Sequence, residues 1–174
     1  MSTGPMKSIL RPVIAAEMAS AAALIRASFL ALVAADWEPE AQAVFLGEYS
    51  TEMLERKVQV AAYQLGAFID AQLVGFLLLT SPAILSALFV HPQFLRQGIG
   101  RQLWEGARAH VETAFPTVKT VELNATPGAN EFYRRLGFAP ISGRYLLKGA
   151  RVTRMACWLP ARALGAEFGV GREP

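Results

Sequence analysis

The residues with the clearest chemical purpose lie at 95–101, LRQGIGR. Gly98 and Gly100 flank one isoleucine, which lets the backbone turn tightly and come close to a ligand. The segment follows an apolar run and opens a helical pattern. The N–H groups of that first helical turn are therefore unpaired, at the positive end of the helix dipole. Arg96 and Arg101 add positive charge on either side, and together these are the ingredients of a phosphate site. The spacing is not a dinucleotide fingerprint, because Leu103 stands where a third glycine is needed, and no Walker lysine is present after it. A second cluster lies at 129–138, ANEFYRRLGF. Phe132, Leu136 and Phe138 are assigned to the core there, which leaves the Tyr133 phenol to face a cleft between two helix–strand units. Metal chemistry has little to work with. His91 and His110 are unaccompanied, and the single cysteine, Cys157, sits in an apolar stretch that predicts a buried, inert thiol.

The elements that must position these groups are read from periodicity and punctuation. Residues 8–13 (SILRPV) are short and extended, and Pro12 favours a sheet edge. Met18, Ala21, Ile25, Phe29 and Leu32 step by three or four and form one helical face. Pro39 opens a second helical region reaching about Gln59, broken at Gly47, with Ser50, or alternatively Thr51, as N-cap of its second half. Residues 60–69 and 73–80 read as strands joined by a turn at Asp70, Ala71 and Gln72. The second is a continuous apolar run that belongs in the middle of a sheet. A third strand covers 83–90. Ile99, Leu103, Ala107, Val111 and Ala114 form the apolar stripe of a helix that Pro116 stops. Trp104 lies off that stripe and suggests a subunit contact, so a homodimer is considered. A strand at 119–125, a short helix at 129–136 capped by Gly137, and strands at 138–141 and 152–159 complete the order. Residues 141–151 form a basic loop between the last two, with Arg144, Lys148 and Arg151. This order predicts an α+β (mixed α/β) fold: a mixed, mostly antiparallel sheet of six to seven strands with helices on both faces. It predicts a single domain over 1–174, with a core at about 8–160 and a mobile tail at 161–174.

Composition narrows the class. A chain of 174 residues that is 53% hydrophobic and 18% charged is too apolar to be disordered and long enough to bury a core without disulfides. The pI of 9.3 rests on a net charge of only +3 with no long Lys/Arg run, so no specific nucleic-acid partner is expected. The mean hydropathy of +0.30 raises the question of a membrane. The most apolar stretch, 18–35, is alanine-rich and carries Arg26 near its middle, which is costly in a bilayer. It is expected to be a core-facing helix in a soluble, cytoplasmic protein with no membrane partner.

Three groups of residues share an order and spacing: Val90-His91-Pro92; Gln97-Gly98-Ile99-Gly100-Arg101-Gln102-Leu103; and Ala129 with Phe132-Tyr133 and Leu136-Gly137-Phe138. Together they resemble the GCN5-related N-acetyltransferase family, and the element order matches from about Ile9 to Leu159. The resemblance implies a sheet splayed between the 83–90 and 119–125 strands, with the pantetheine arm of acetyl-CoA lying in the splay and no metal. It implies that backbone groups of Leu88, Phe89 and Val90 pair with the arm like an added strand. It places the N–H groups of Arg96, Gln97, Gly98, Ile99, Gly100 and Arg101 on the pyrophosphate. Leu95 departs from the Gln or Arg with which such loops usually begin, and Arg96 is positioned to substitute. Thr126 stands where the family often has Asn and still offers a hydrogen bond.

The implied activity is direct transfer of an acetyl group from acetyl-CoA to a primary amine on a small molecule or a protein. Tyr133 matches the position that protonates the leaving thiolate, or it packs against the arm. A backbone N–H near the end of the 83–90 strand can hold the developing oxyanion. The base is open, because strand 83–90 carries no carboxylate. Glu122 is one candidate: if Val121 and Leu123 face the core, it points the other way. Glu48 and Glu52 can line the acceptor side, and a water chain serves equally well. The alternative function is a non-catalytic CoA-binding sensor or interaction module of the same fold.

Overall fold

The computed structural model describes residues 8–160; the start at 1–7 and the expected tail at 161–174 lie outside the described residues. The strands are β1 (Ile9–Arg11), β2 (Tyr63–Ile69), β3 (Gln72–Ser81), β4 (Ile84–Val90), β5 (Thr120–Ala125), β6 (Ala139–Leu147) and β7 (Ala150–Trp158). They form one sheet in the order β1-β2-β3-β4-β5-β7-β6. β4 and β5 run parallel, and the other neighbouring pairs among the described residues are antiparallel. The helices are α1 (Met18–Leu32), α2 (Pro39–Glu48), α3 (Thr51–Val60), α4 (Ile99–Ala114) and α5 (Asn130–Arg135).

Alternation along the strands divides the core between the two faces. Phe68, Phe76, Leu78 and Ala87 pack beneath α1 and α3, which contribute Met18, Ala21, Ile25 and Leu54. Leu77, Leu79, Leu85, Val121, Leu123 and Met155 pack beneath α4 through Ile99, Leu103, Ala107 and Val111. β3 has partners on both edges and is buried from Leu73 to Leu79, as its unbroken apolar run requires. Gly75 lets α4 lie against it: a Cβ there would stand 2.9 Å from both Ile99 and Leu103. α1 together with the short 3₁₀ turn before it, Ala15–Leu32, is long and apolar enough to cross a bilayer. In the fold its apolar face covers β3 and β4.

Several sequence expectations are corrected. The strand expected over 60–69 begins at Tyr63, because α3 runs on to Val60 and only then turns toward the sheet. The turn after β2 uses two residues, Asp70 (φ 48°) and Ala71 (φ 66°), and Gln72 already belongs to β3. The basic loop expected over 141–151 is a β-hairpin, with Tyr145 opposite Val152 and Leu147 opposite Ala150. Its turn is Lys148-Gly149, with φ of 49° and 83°. β6 is an exposed edge strand, so it lacks the buried alternation that marks a strand in sequence. Ala114 of the α4 stripe and Leu32 of the α1 stripe are exposed, because each helix outruns the sheet beneath it.

Trp104 is 1% exposed, so it is not a subunit contact. The segment after α5 folds over it: its indole N–H donates to the Leu136 carbonyl at 3.2 Å, and its ring centroid lies 4.7 Å from that of Phe138. Cys157 is buried, as expected. Replacing Trp104 with alanine should destabilise the fold by about 3–5 kcal/mol, because the cavity cannot collapse and the Leu136 carbonyl loses its partner. Urea denaturation measures the loss. The solution mass of the folded variant should match that of the parent; a change would restore Trp104 as a contact residue.

Candidate functional site

The site begins with a failure of pairing. β4 and β5 share one parallel register, Ile84 opposite Glu122, and the Glu122 N–H donates to the Ala83 carbonyl at 2.8 Å. Beyond that point the strands part, and the edge of β4 toward Val90 has no strand partner among the described residues. A bulge helps to open the gap. Leu78 pairs with Ala87 and Leu79 with Leu85, so Ser86 is an extra residue on β4. The bulge reverses the facing of the strand beyond it: Leu85 belongs to the α4-side core, whereas Ala87 is on the α1 side.

Side chains hold this strand open. The Tyr49 hydroxyl donates to the Ser86 carbonyl at 2.8 Å, and the Ser28 hydroxyl donates to the Val90 carbonyl at 3.0 Å. The Ser86 hydroxyl meets that of Thr80 at 2.6 Å. Neither Tyr49 nor Ser28 was recognisable in the sequence. Tyr49 falls at the junction of two helices and Ser28 on the buried face of one, where nothing in their spacing signals a strand contact.

The gap is part of a cleft of about 1260 Å³. At one end, Gly98 (φ 79°) begins α4 and offers no capping side chain. The first intrahelical bond runs from the Gln102 N–H to the Gly98 carbonyl at 3.0 Å. The N–H groups of Ile99, Gly100 and Arg101 therefore have no helical acceptor. Arg96 is itself left-handed, with φ 61°, so the strand-to-helix turn uses positive φ at a residue that is not glycine. The sequence did not mark this. Consecutive turns of this kind converge N–H groups on an anion. Arg96, Arg101 and Arg135 line the same end. Arg101 donates to the Arg135 carbonyl at 3.2 Å, and Arg135 pairs with Glu131 at 3.1 Å. These groups fit a phosphate-bearing cosubstrate.

Leu88, Phe89, Val90, Arg96, Gly98, Ile99, Gly100, Arg101, Thr126 and Tyr133 all line the cleft. Gln97 does not, and its side chain is exposed. Phe132 is not core, being 39% exposed. α5 is short and lies beside α4, so the Phe132 ring reaches Gly100, where a Cβ would meet it at 2.8 Å. The Tyr133 ring stands edge-on to Phe132 and Phe138, with centroids 5.2 and 5.7 Å away. Burial raises the Tyr133 pKa above its usual value of 10.0, so the hydroxyl keeps its proton. The Tyr49 pKa is raised likewise, first by burial and then by the charge of Glu48.

Val121 and Leu123 are buried, and Glu122 faces the cleft as the register argument requires. Its Oε2 accepts from Arg154 Nε at 2.7 Å and lies 2.6 Å from Arg154 Nη2. Glu48 also lines the cleft, whereas Glu52 is exposed and paired with Arg56 at 2.6 Å. Glu48 is held by Lys148 from the β6–β7 turn and by Lys57 at 3.7 Å. The hydrogen bond from Lys148 holds the Glu48 carboxyl below its usual 4.5, against the opposing effect of desolvation. A depressed carboxyl contributes to stability above the ordinary carboxylate range, and the contribution is lost as pH falls through the depressed value. Lys148→Ala should therefore move the Glu48 titration upward toward 4.5, as carboxyl NMR would measure. An unmoved titration would mean that Lys148 does not engage Glu48 in solution.

A model of the acetyltransferase (GNAT) domain matches residues 33–159, most of the chain. No curated protein sequence matches. Among solved structures, a GCN5-related N-acetyltransferase from Rhodopseudomonas palustris superposes with a TM-score of 0.78 at 21% identity, covering 91% of this chain and all of that one. The PaiA N-acetyltransferase of Thermoplasma acidophilum, solved with coenzyme A, gives 0.73 at 20% identity over 88% of this chain and all of that one. An aminoglycoside 6′-N-acetyltransferase complexed with coenzyme A gives 0.67 at 16% identity over 87% of this chain and 98% of that one. At these identities the likeness is one of fold.

Proposed function

The chain belongs to the GCN5-related N-acetyltransferase family, and from that premise we propose that it transfers the acetyl group of acetyl-CoA directly to a primary amine. One observation carries this: the uncapped start of α4 and the unpaired edge of β4 open into the same cleft. The first suits a pyrophosphate and the second an amide-bearing arm. The relatives solved with coenzyme A share this fold, which supports the same cosubstrate here.

In this mechanism the N–H groups of Ile99, Gly100 and Arg101, aided by Arg96, bind the pyrophosphate. The free edge from Leu88 to Val90 aligns the arm. A backbone N–H of the same edge donates to the thioester oxygen as charge develops there. The amine must attack as a free base. Glu122 is the carboxylate at the closed end of the splay, and it takes the amine's proton directly or through water. Arg154 keeps it oriented. As the C–S bond breaks, the Tyr133 hydroxyl gives its proton to the departing sulfur, and the proton that the nitrogen sheds as the amide forms returns to the Tyr133 oxygen through water. An ordinary tyrosine already holds its hydroxyl proton at neutral pH, and burial extends the range upward.

Calorimetric titration with acetyl-CoA, and then amine-dependent thiol release, tests the proposal. Tyr133→Phe should lower kcat by about 100-fold with CoA affinity unchanged. The rate of the parent should show no decline from tyrosine ionisation below pH 10.0. Tight binding with an unchanged kcat in Tyr133→Phe would remove Tyr133 as the acid. Absence of binding would reduce the 95–101 segment to a structural turn. Binding without turnover of any small or peptide amine would favour a CoA-binding sensor.

A further inference from the structure

The end of the cleft away from Arg96, Arg101 and Arg135 is built differently. Leu32 at the end of α1, Val44 of α2 and Leu147 of β6 line it and are 51%, 47% and 39% exposed. Three large apolar side chains from three separate elements, half in water around one cavity, are not explained by core packing. Behind them stand Trp37 and Phe45, with centroids 5.7 Å apart, both packed on Phe29.

The charges at this end already have partners. Glu48 has Lys57 and Lys148, and Glu122 has Arg154, so the two carboxylates face three cations. The balance is one positive charge, and no carboxylate that lines the cleft is left over to attract a polycation.

The β6–β7 turn also bridges to α2. Lys148 reaches Glu48, and a Cβ on Gly149 would stand 3.1 Å from the Ala41 Cβ. Ala41, Val44 and Glu48 share one face of α2, so Val44 lies between the two contacts. This bridge ties the β6–β7 turn to α2 and narrows the cleft beside Val44 and Leu147.

We infer that the acceptor is a small primary amine carried on an apolar aryl or alkyl body, with the body held among Leu32, Val44 and Leu147. The positive balance weighs against polyamines and aminoglycosides, and the bridge weighs against protein lysines. The inference rests on the N-acetyltransferase reading above.

The test is a thiol-release panel with acetyl-CoA on the full chain, after CoA binding has been measured calorimetrically. The acceptors are 2-phenylethylamine, spermidine, kanamycin and a lysine-containing peptide. 2-Phenylethylamine should show a kcat/KM at least about tenfold above the others. Val44→Lys and Leu147→Lys, both at exposed positions that should tolerate the change, should raise its KM by about tenfold while CoA affinity stays the same. The inference is overturned if spermidine, kanamycin or the peptide is the better acceptor. It is also overturned if 2-phenylethylamine is inert on protein that binds CoA, or if both lysine variants keep the parental KM. Faster turnover with hexanoyl-CoA than with acetyl-CoA would assign the apolar end to the acyl chain and overturn it too. Failure to bind CoA at all is a different outcome, because it removes the N-acetyltransferase reading itself.

Discussion

A parallel strand pair that is made once and then abandoned sets the rest of this structure. Ile84 and Glu122 register with each other, and from there β4 and β5 diverge. Backbone groups left open in this way are costly unless something satisfies them. Part of that need is met internally, since Ser28 and Tyr49 reach the Val90 and Ser86 carbonyls from the helical layer. The remainder faces the cleft, where an amide-bearing ligand can complete the ladder. The Ser86 bulge belongs to the same device, because the extra residue turns Ala87 and Phe89 toward α1. The fold therefore holds its binding edge open by rigid packing on both sides and not by a flexible loop.

Charge is distributed along the cleft in keeping with this. At the α4 end the positive field comes from fixed dipoles and from Arg96, Arg101 and Arg135, which suits an anion. At the opposite end the ionised groups are paired with each other. One end therefore presents positive charge and the other apolar surface. Between them, Tyr133 and Tyr49 are neutral phenols, and burial raises their pKa values further above the usual 10.0. A neutral phenol can act as a proton donor where an ionised one could not.

The end of the cleft away from α4 depends on contacts between distant parts of the chain. Lys148 and Glu48 are 100 residues apart in sequence, and they meet because the β6–β7 turn projects past the sheet onto α2. The turn needs left-handed backbone at Lys148 and Gly149, and the close approach of Gly149 to Ala41 leaves little room for a side chain. This contact gives the cleft a covered end without adding a domain.

The periodic elements and the anion site are written in local patterns of the chain. The α4 stripe, the apolar run of β3, the Ser50 cap and the glycine-spaced turn before α4 are patterns of this kind, and local patterns fix local structure. The facing of Glu122 was also legible, because its neighbours Val121 and Leu123 alternate with it. Features that depend on pairing across long separations left no such trace. β6 is solvated along its length and shows no apolar alternation, so its hairpin resembled a loop. Trp104 and Phe132 exchanged places, one covered by the segment after α5 and the other left at the cleft, because a short helix can present either face until its neighbours are in position. The partners of Glu48, Tyr49 and Ser28 come from other elements of the chain. Only the folded sheet brings those elements together, since a side chain's partner is set by tertiary packing and not by its neighbours in sequence.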